Sequence, residues 1–318
     1  MAPHDGPQTG QSWHGQTELN PEDEERLIKA ACRPTRVDRS VIESLAAILA
    51  AQRRTEDVIG SGPLLGPVRA QLDMIGHLVA EARGPLRSEM VNVGGQWAQF
   101  YGWLRASCGD VAAGNRHLDR ALEWATESAD VDLVSEVVSF KGHLAWMSGQ
   151  AGATIGLSAA AVRGDGLYPG QRAISCSQEA RGHAMTGDAW AAEAKLDEAD
   201  VQAAAARERL DDAPPWLYYH SPALFELERG LAYRYLGHHD QRYNQRAIKA
   251  FGQGLSGLPV EMRGSEWSGE FIYQLGRAHL QAGEREEAGR LAGDLTSLGE
   301  RLGSDRLMRQ AEALSPSS

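Results

Sequence analysis

The side chains able to do chemistry in this 318-residue chain are dispersed. His238 and His239 could ligate zinc, but no HExxH or His/Cys set at zinc spacing accompanies them. They fall at a predicted turn, so no metal is expected. Cys108 stands just before Gly109 at a predicted helix end. The negative pole there raises a thiol pKa, the wrong direction for a nucleophile. The carboxyl pairs Asp211-Asp212 and Glu286-Glu287 are adjacent in sequence and expected to be exposed, with nothing to raise their pKa values. GSGPLLGP lacks the Lys-Ser/Thr of a phosphate loop and follows a helix. These residue types predict neither an enzyme nor a cofactor.

Binding is the better-supported chemistry, and it depends on the elements that carry it. Small-residue turns recur at Gly109, Gly149, Gly187, Gly237 and Gly283. Seven residues before each lies Gly102, Gly142, Ala180, Gly230 or Gly276. Five and twelve residues after come further small residues (Gly114 and Ala121 in the first unit), with a five-residue slip in the fourth. Two antiparallel helices approach closely only where side chains are small. Glycine ends the first in a left-handed turn, and Asp or Glu starts the second. Such hairpins stack to bury their apolar faces. The predicted fold is therefore all-α, a right-handed superhelix of about six hairpins.

Counting back 13, 10, 6 and 3 residues from each turn glycine traces one helical stripe, expected to line the concave side. It holds Gln99 and Trp103 in the first unit, Ser139, His143 and Trp146 in the second, Ser177 and Arg181 in the third, Tyr273 and Arg277 in the fifth. Glu136, Ile174, Leu224 and Glu270 occupy its first position. Aromatics mixed with Gln, Ser, His and Arg suit a groove for an amphipathic ligand. Trp103, His143, Arg181 and Arg277 are expected to converge there, the two arginines holding a carboxylate such as a peptide C-terminus. In DDAPPWLYYHSPALFELERG, residues 211–230, Trp216, Tyr218, Tyr219 and His220 fall in an irregular connection. They form either a plug between hairpins or a lid over the groove.

Composition bounds the partners. At 42% apolar residues a large core is possible, and a net charge of −11 disfavours a phosphate-binding surface. The short basic run Arg26, Lys29, Arg33, Arg36, Arg39, Arg53 and Arg54 reads as solvated linker and helix face. Cys32, Cys108 and Cys176 are odd in number without a CxxC, which fits a reducing compartment. With no secretory signal and no long apolar run, the expectation is a soluble cytoplasmic chain without membrane contact.

Residues 1–36 read as a mostly disordered segment with one short helix from Pro21 to about Cys32, capped by Asn20. The helical-repeat domain spans 37–314 and a disordered tail 315–318. Ser40 and Glu43 make a predicted capping box. SVIESLAAILAAQRRTEDVIG and VRAQLDMIGHLVAEARG read as one further hairpin, and a long helix begins at Leu86.

The small residue, Gly-Asp, Ala-Leu spacing (Gly102, Gly109-Asp110, Ala121-Leu122) resembles the tetratricopeptide repeat. Over about 37–314, LAAILAAQRRTEDVIGSGPLLGPVRAQL, EARGPLR, QWAQFYGWL, RALEWA, KGHLAW and GLAYRYLG resemble the sensor region of Xre-type helix-turn-helix transcriptional regulators of GC-rich bacteria. No helix-turn-helix pattern precedes Val37, so the resemblance carries over sensing and not direct nucleic-acid binding. It implies a non-catalytic regulator that binds a peptide, small molecule or protein partner in its groove, as a monomer or homodimer. The alternatives are a truncated DNA-binding regulator, an assembly scaffold, or a biosynthetic enzyme on a helical-repeat fold.

Overall fold

The computed structural model describes residues 21–32 and 37–315. The disorder expected for 1–20 and the last three residues, the Asn20 cap, and Arg33 and Arg36 of the basic run lie outside them. Among the described residues there are fourteen α-helices and no strand. They are α1 Pro21–Cys32, α2 Arg39–Ile59, α3 Leu65–Glu81, α4 Arg87–Ser107, α5 Val111–Ser128, α6 Val131–Met147 and α7 Ala151–Ala161. The series continues with α8 Pro169–Met185, α9 Ala189–Arg207, α10 Pro222–Leu236, α11 Arg242–Gly257, α12 Glu266–Gln281, α13 Arg285–Leu302 and α14 Asp305–Leu314. No helix among them is long and apolar enough to cross a membrane.

Five close pairs form in chain order: α4 with α5, α6 with α7, α8 with α9, α10 with α11, and α12 with α13. The first helices of successive pairs also pack on one another. They make an inner layer of α4, α6, α8, α10 and α12, and α14 packs on the last pair. Small-residue contacts set the pair spacing. At Gly102 of α4 an added Cβ would lie 3.1 Å from the Gly114 carbonyl oxygen of α5 and 3.2 Å from Leu118. The turn glycines 109, 149, 187 and 283 all have positive φ, and Asp110 and Asp188 cap the helices that follow. Gly237 is the exception, with φ −59. The chain there runs on through His238–Gln241 before α11 starts, which supplies three residues of the five-residue slip.

Two expectations are corrected. The cap of α2 is Asp38, which accepts from the Val41 amide at 3.0 Å; Ser40 instead donates to Asp23. The capping box is lost because the helix begins at Arg39, one residue before its presumed cap. Helices α2 and α3 meet side by side where Gln52 Nε2 donates to Gln71 Oε1 at 2.6 Å, but they are not among the close pairs. Helix α3 packs on α4, whereas α2 packs on α1 and α4 and reaches α12 with its far end. The reason is the polar face near that end: Arg53, Glu56 and Asp57 are all buried, and they face the inner layer.

Trp97 shows how α2 is seated on α4. It is fully buried, and its indole Nε1 donates to the Leu45 carbonyl at 3.1 Å. Replacing Gly102 by leucine should force α4 and α5 apart at a backbone contact. The expected loss is roughly 1 to 3 kcal/mol or more, read as a melting temperature several degrees lower; an unchanged melt would place the α4–α5 contact elsewhere.

Candidate functional site

Two adjoining cavities lie against the inner helices. The first, of about 140 Å³, is walled by α2, α4, α6, α8, α10, α12 and the connection before α10. The second, of about 270 Å³, is walled by α4, α6, α8, α10, α12 and α14. Trp103, His143, Trp267 and Phe271 line both.

The end of α2 closes the first cavity. Gly60, at φ +79, turns the chain out of α2, and an added Cβ there would meet Glu266 Oε2 at 3.2 Å. That oxygen accepts from the Ser61 amide at 3.0 Å, and Oε1 accepts from Ser304 Oγ. Asp57 accepts from Trp267 Nε1 at 2.8 Å and from Tyr218 OH at 2.9 Å. Residues more than 200 positions apart are thereby joined. Trp216 and Tyr219 also line this cavity, so the 211–221 connection makes one wall of it.

The predicted site residues separate into two groups. Gln99, Trp103, Ser139, His143, Trp216, Tyr218 and Tyr219 line the first cavity, and Trp146 and Arg181 join Trp103 and His143 in the second. Ser177 is buried, with its hydroxyl returned to the Ala173 carbonyl at 3.0 Å. Arg277 donates to Tyr273 OH at 3.0 Å, and neither residue lines a cavity. The expected four-way convergence thus loses Arg277; Arg306 of α14 supplies the second guanidinium instead. The helical stripe is rotated slightly from the one counted in the sequence. Position nine before the turn glycine lines a cavity in all five pairs: Phe100, Phe140, Gln178, Glu228 and Gln274. The same face at a spacing of 13, 9, 6 and 2 would have found these residues. No count from the turn glycines could find Arg53, Glu56 or Asp57, which arrive from α2.

The electrostatics of the first cavity also depart from expectation. Arg53 is 6% exposed, not a solvated face residue, and burial brings its guanidinium down to about 10, with Glu136 the foremost opposing influence. Burial pushes Glu56 up to about 7 against the Ser61 hydrogen bond, and Glu136 up to about 7 against Arg53. It also raises Asp57 and Glu228. Arg181 is fully buried, lies 4.2 Å over the Trp146 ring, and sits 3.7 Å from Glu228. Burial, and then Arg181, holds His143 well below the usual histidine range, hence neutral. A buried ionisable cluster is therefore present, although the carboxyl pairs picked from the sequence, 211–212 and 286–287, are exposed. Desolvation and then Glu266 push the Cys108 thiol up to about 11. Among the described residues no group of three or more His, Cys, Asp or Glu is arranged to hold a metal ion.

Several buried polar atoms on these walls have no hydrogen-bond partner. They are Arg53 Nη2, Trp216 Nε1, Gln178 Oε1 and Glu228 Oε2 in the first cavity. In the second they include Arg181 Nε and Nη1, Gln274 Oε1 and Gln310 Oε1. No protein-family model, curated protein or solved structure matches this chain.

Arg181 supports the interior, since it is fully buried beside Glu228. Arg181→Ala should leave Glu228 as an uncompensated buried carboxyl and cost about 3 to 5 kcal/mol; denaturant unfolding that leaves the midpoint unmoved would refute this. Glu56 gives a pH signature. Its folded value of about 7 exceeds the ordinary 4.5, so between those values the folded chain holds a proton that the unfolded chain releases. Stability from this group therefore falls as pH rises through that window. Thermal melts at pH 5 and pH 8 should show a smaller loss in Glu56→Gln than in the parent, whereas parallel curves would mean Glu56 titrates normally.

Proposed function

We propose that this chain is a non-catalytic binding protein whose ligand is a small molecule held between the inner helices. The observation that carries this reading is the set of unpartnered polar atoms on the cavity walls. A buried donor or acceptor left unmade costs about 1 to 3 kcal/mol, and such atoms in native proteins need an explanation. Among the described residues about half of them fall on two adjoining cavities, while others, at Gln171, Ser175 and His220 among them, lie away from both. Aromatic walls with a few convergent polar groups are the usual make-up of a small-molecule site. The dimensions favour a small molecule over an extended peptide. An apolar space of about 150 Å³ takes one benzene ring, and the end of α2 together with the 211–221 connection occupies the path a long peptide would follow.

In this reading the five helix pairs are tetratricopeptide-like units coiled as a right-handed superhelix, and α2 lies on the inner face. The chain then acts as the sensor part of a cytoplasmic regulator, in line with its resemblance to the region that follows the DNA-binding domain in Xre-type regulators. Ligand would be reported through α2, because α2 bridges the first and last helix pairs and contributes Arg53, Glu56 and Asp57 to the wall. A peptide or protein partner would dock elsewhere on the surface.

The test is native mass spectrometry of the full chain recovered gently from cell extract. A small-molecule adduct of a few hundred daltons is expected on the parent and should be absent from Ser139→Trp, which fills the first cavity from a buried position. An adduct retained by that variant, or none on the parent, would overturn the reading.

A further inference from the structure

The wall of the first cavity is unbalanced in charge. Glu56, Asp57, Glu136 and Glu228 line it, against Arg53 as the one guanidinium. Two of the carboxyls have cationic neighbours: Glu228 lies 3.7 Å from Arg181, and Arg53 is the cation that acts on Glu136. Glu56 and Asp57 have no ion-pair partner within 4 Å among the described residues. They are held by neutral donors: Ser61 Oγ at 2.7 Å and Trp103 Nε1 at 3.4 Å for Glu56, and Trp267 Nε1 and Tyr218 OH for Asp57. Arg54, exposed and 5.7 Å from the Tyr218 ring centroid, is the cation that acts on Asp57. Glu266 adds a further carboxyl behind Glu56, but its own partner is Arg306 at 3.7 Å.

The hydrogen-bond accounting points the same way. Gln178, 5% exposed, places an acceptor oxygen without a partner at this cavity, and Glu228 Oε2, 4% exposed, accepts no hydrogen bond and has only the Arg181 guanidinium at 3.7 Å. The donors left over are Arg53 Nη2 and the Trp216 indole, which together call for an oxygen on the ligand. The apolar part of the wall is aromatic: Phe100, Trp103, Phe140, Trp267 and Phe271. Ring faces attract a cation most strongly once it is desolvated. An anion would face four carboxyls at short range in a low dielectric, which is strongly unfavourable.

We infer, on the cavity reading above, that the ligand is a small amphipathic organic cation, an ammonium group on a ring body that also bears an oxygen. The ammonium is recognised by Glu56 and Asp57 at the end of α2, and the ring lies among the aromatic side chains. This reverses the charge expected from the arginine-bearing stripe. Because Glu56 and Glu136 shed protons near neutrality, such a cation binds more tightly as pH rises from 6 to 8. The charged groups facing these two carboxyls are Asp57 and Arg53 from α2, Glu228 from α10 and Glu266 from α12, and Tyr218 and Tyr219 face them from the connection.

Three probes of one shape separate the outcomes in calorimetric titrations of the full chain at pH 8: the cation phenethylamine, the neutral 2-phenylethanol and the anion phenylacetate. Phenethylamine should bind at least ten-fold tighter than 2-phenylethanol, and phenylacetate weakest. In Glu56→Gln/Asp57→Asn the cation preference should fall below three-fold. Should that variant fail to melt cooperatively, Asp57→Asn alone is used, with the same direction expected. Equal binding of amine and alcohol would overturn the inference while leaving the cavity reading standing. Tighter binding of phenylacetate would overturn it in favour of an anionic ligand held by Arg181 and Arg306. Failure of all three probes to bind at millimolar concentration would overturn the cavity reading as well.

Discussion

A buried carboxyl group without an ion-pair partner must be held by neutral donors, and Asp57 is held by two. One is the indole of Trp267 in the fifth helix pair, and the other is the hydroxyl of Tyr218 in the connection before the fourth. This small cluster makes α2 a bridge between the first and last pairs. With Ser61 and Glu266 beside it, it gathers into one wall residues from parts of the chain that no local interaction would bring together. Without it, α2 would be one more outer helix and the inner face an open groove. With it, the inner face becomes two adjoining cavities.

The costs follow from that arrangement. Carboxyls taken from water prefer to keep their protons, so Glu56 and Glu136 titrate near neutrality. Arg53 and Arg181 partly compensate, but neither completes its hydrogen bonds within the chain. A protein selected only for stability would replace such groups with apolar ones, which pack as well without the desolvation penalty. On the proposed reading, a ligand completes the part of them, about half, that lies on the two cavity walls. His143, held neutral by burial, meets Arg181 rather than a carboxyl.

Much of the scaffold was legible in the sequence because it rests on local rules. Turn glycines with positive φ, aspartate caps and small residues at fixed distances from each turn act within one hairpin, and Gly102 meets Gly114 as the spacing requires. Even the irregular fourth unit was visible as a slip, to which the later start of α11 after Gly237 contributes three of the five residues. The inner face could be traced too, although the true stripe takes in position nine where the count had used ten. One residue is about 100° of helix rotation, enough to leave Ser177 and Tyr273 outside the cavities and bring Gln178 and Gln274 in.

The charge of the site was not legible. The stripe carries Arg181 and Arg277, and alone it predicts an anionic ligand. Arg277 lies off the cavities and Arg181 lies beside Glu228, while Glu56 and Asp57 enter from a helix whose sequence looks like an ordinary amphipathic element with a polar end. The sequence by itself determined the five close pairs, their turns and their order, and approximately the face each turns inward, since these are fixed by contacts within a few tens of residues. Tertiary structure alone decided that α2 crosses to α12, that carboxyls outnumber guanidiniums at the first cavity, and which polar atoms are left without partners. Those properties depend on distances between residues some 200 positions apart, and no periodicity in a chain encodes them.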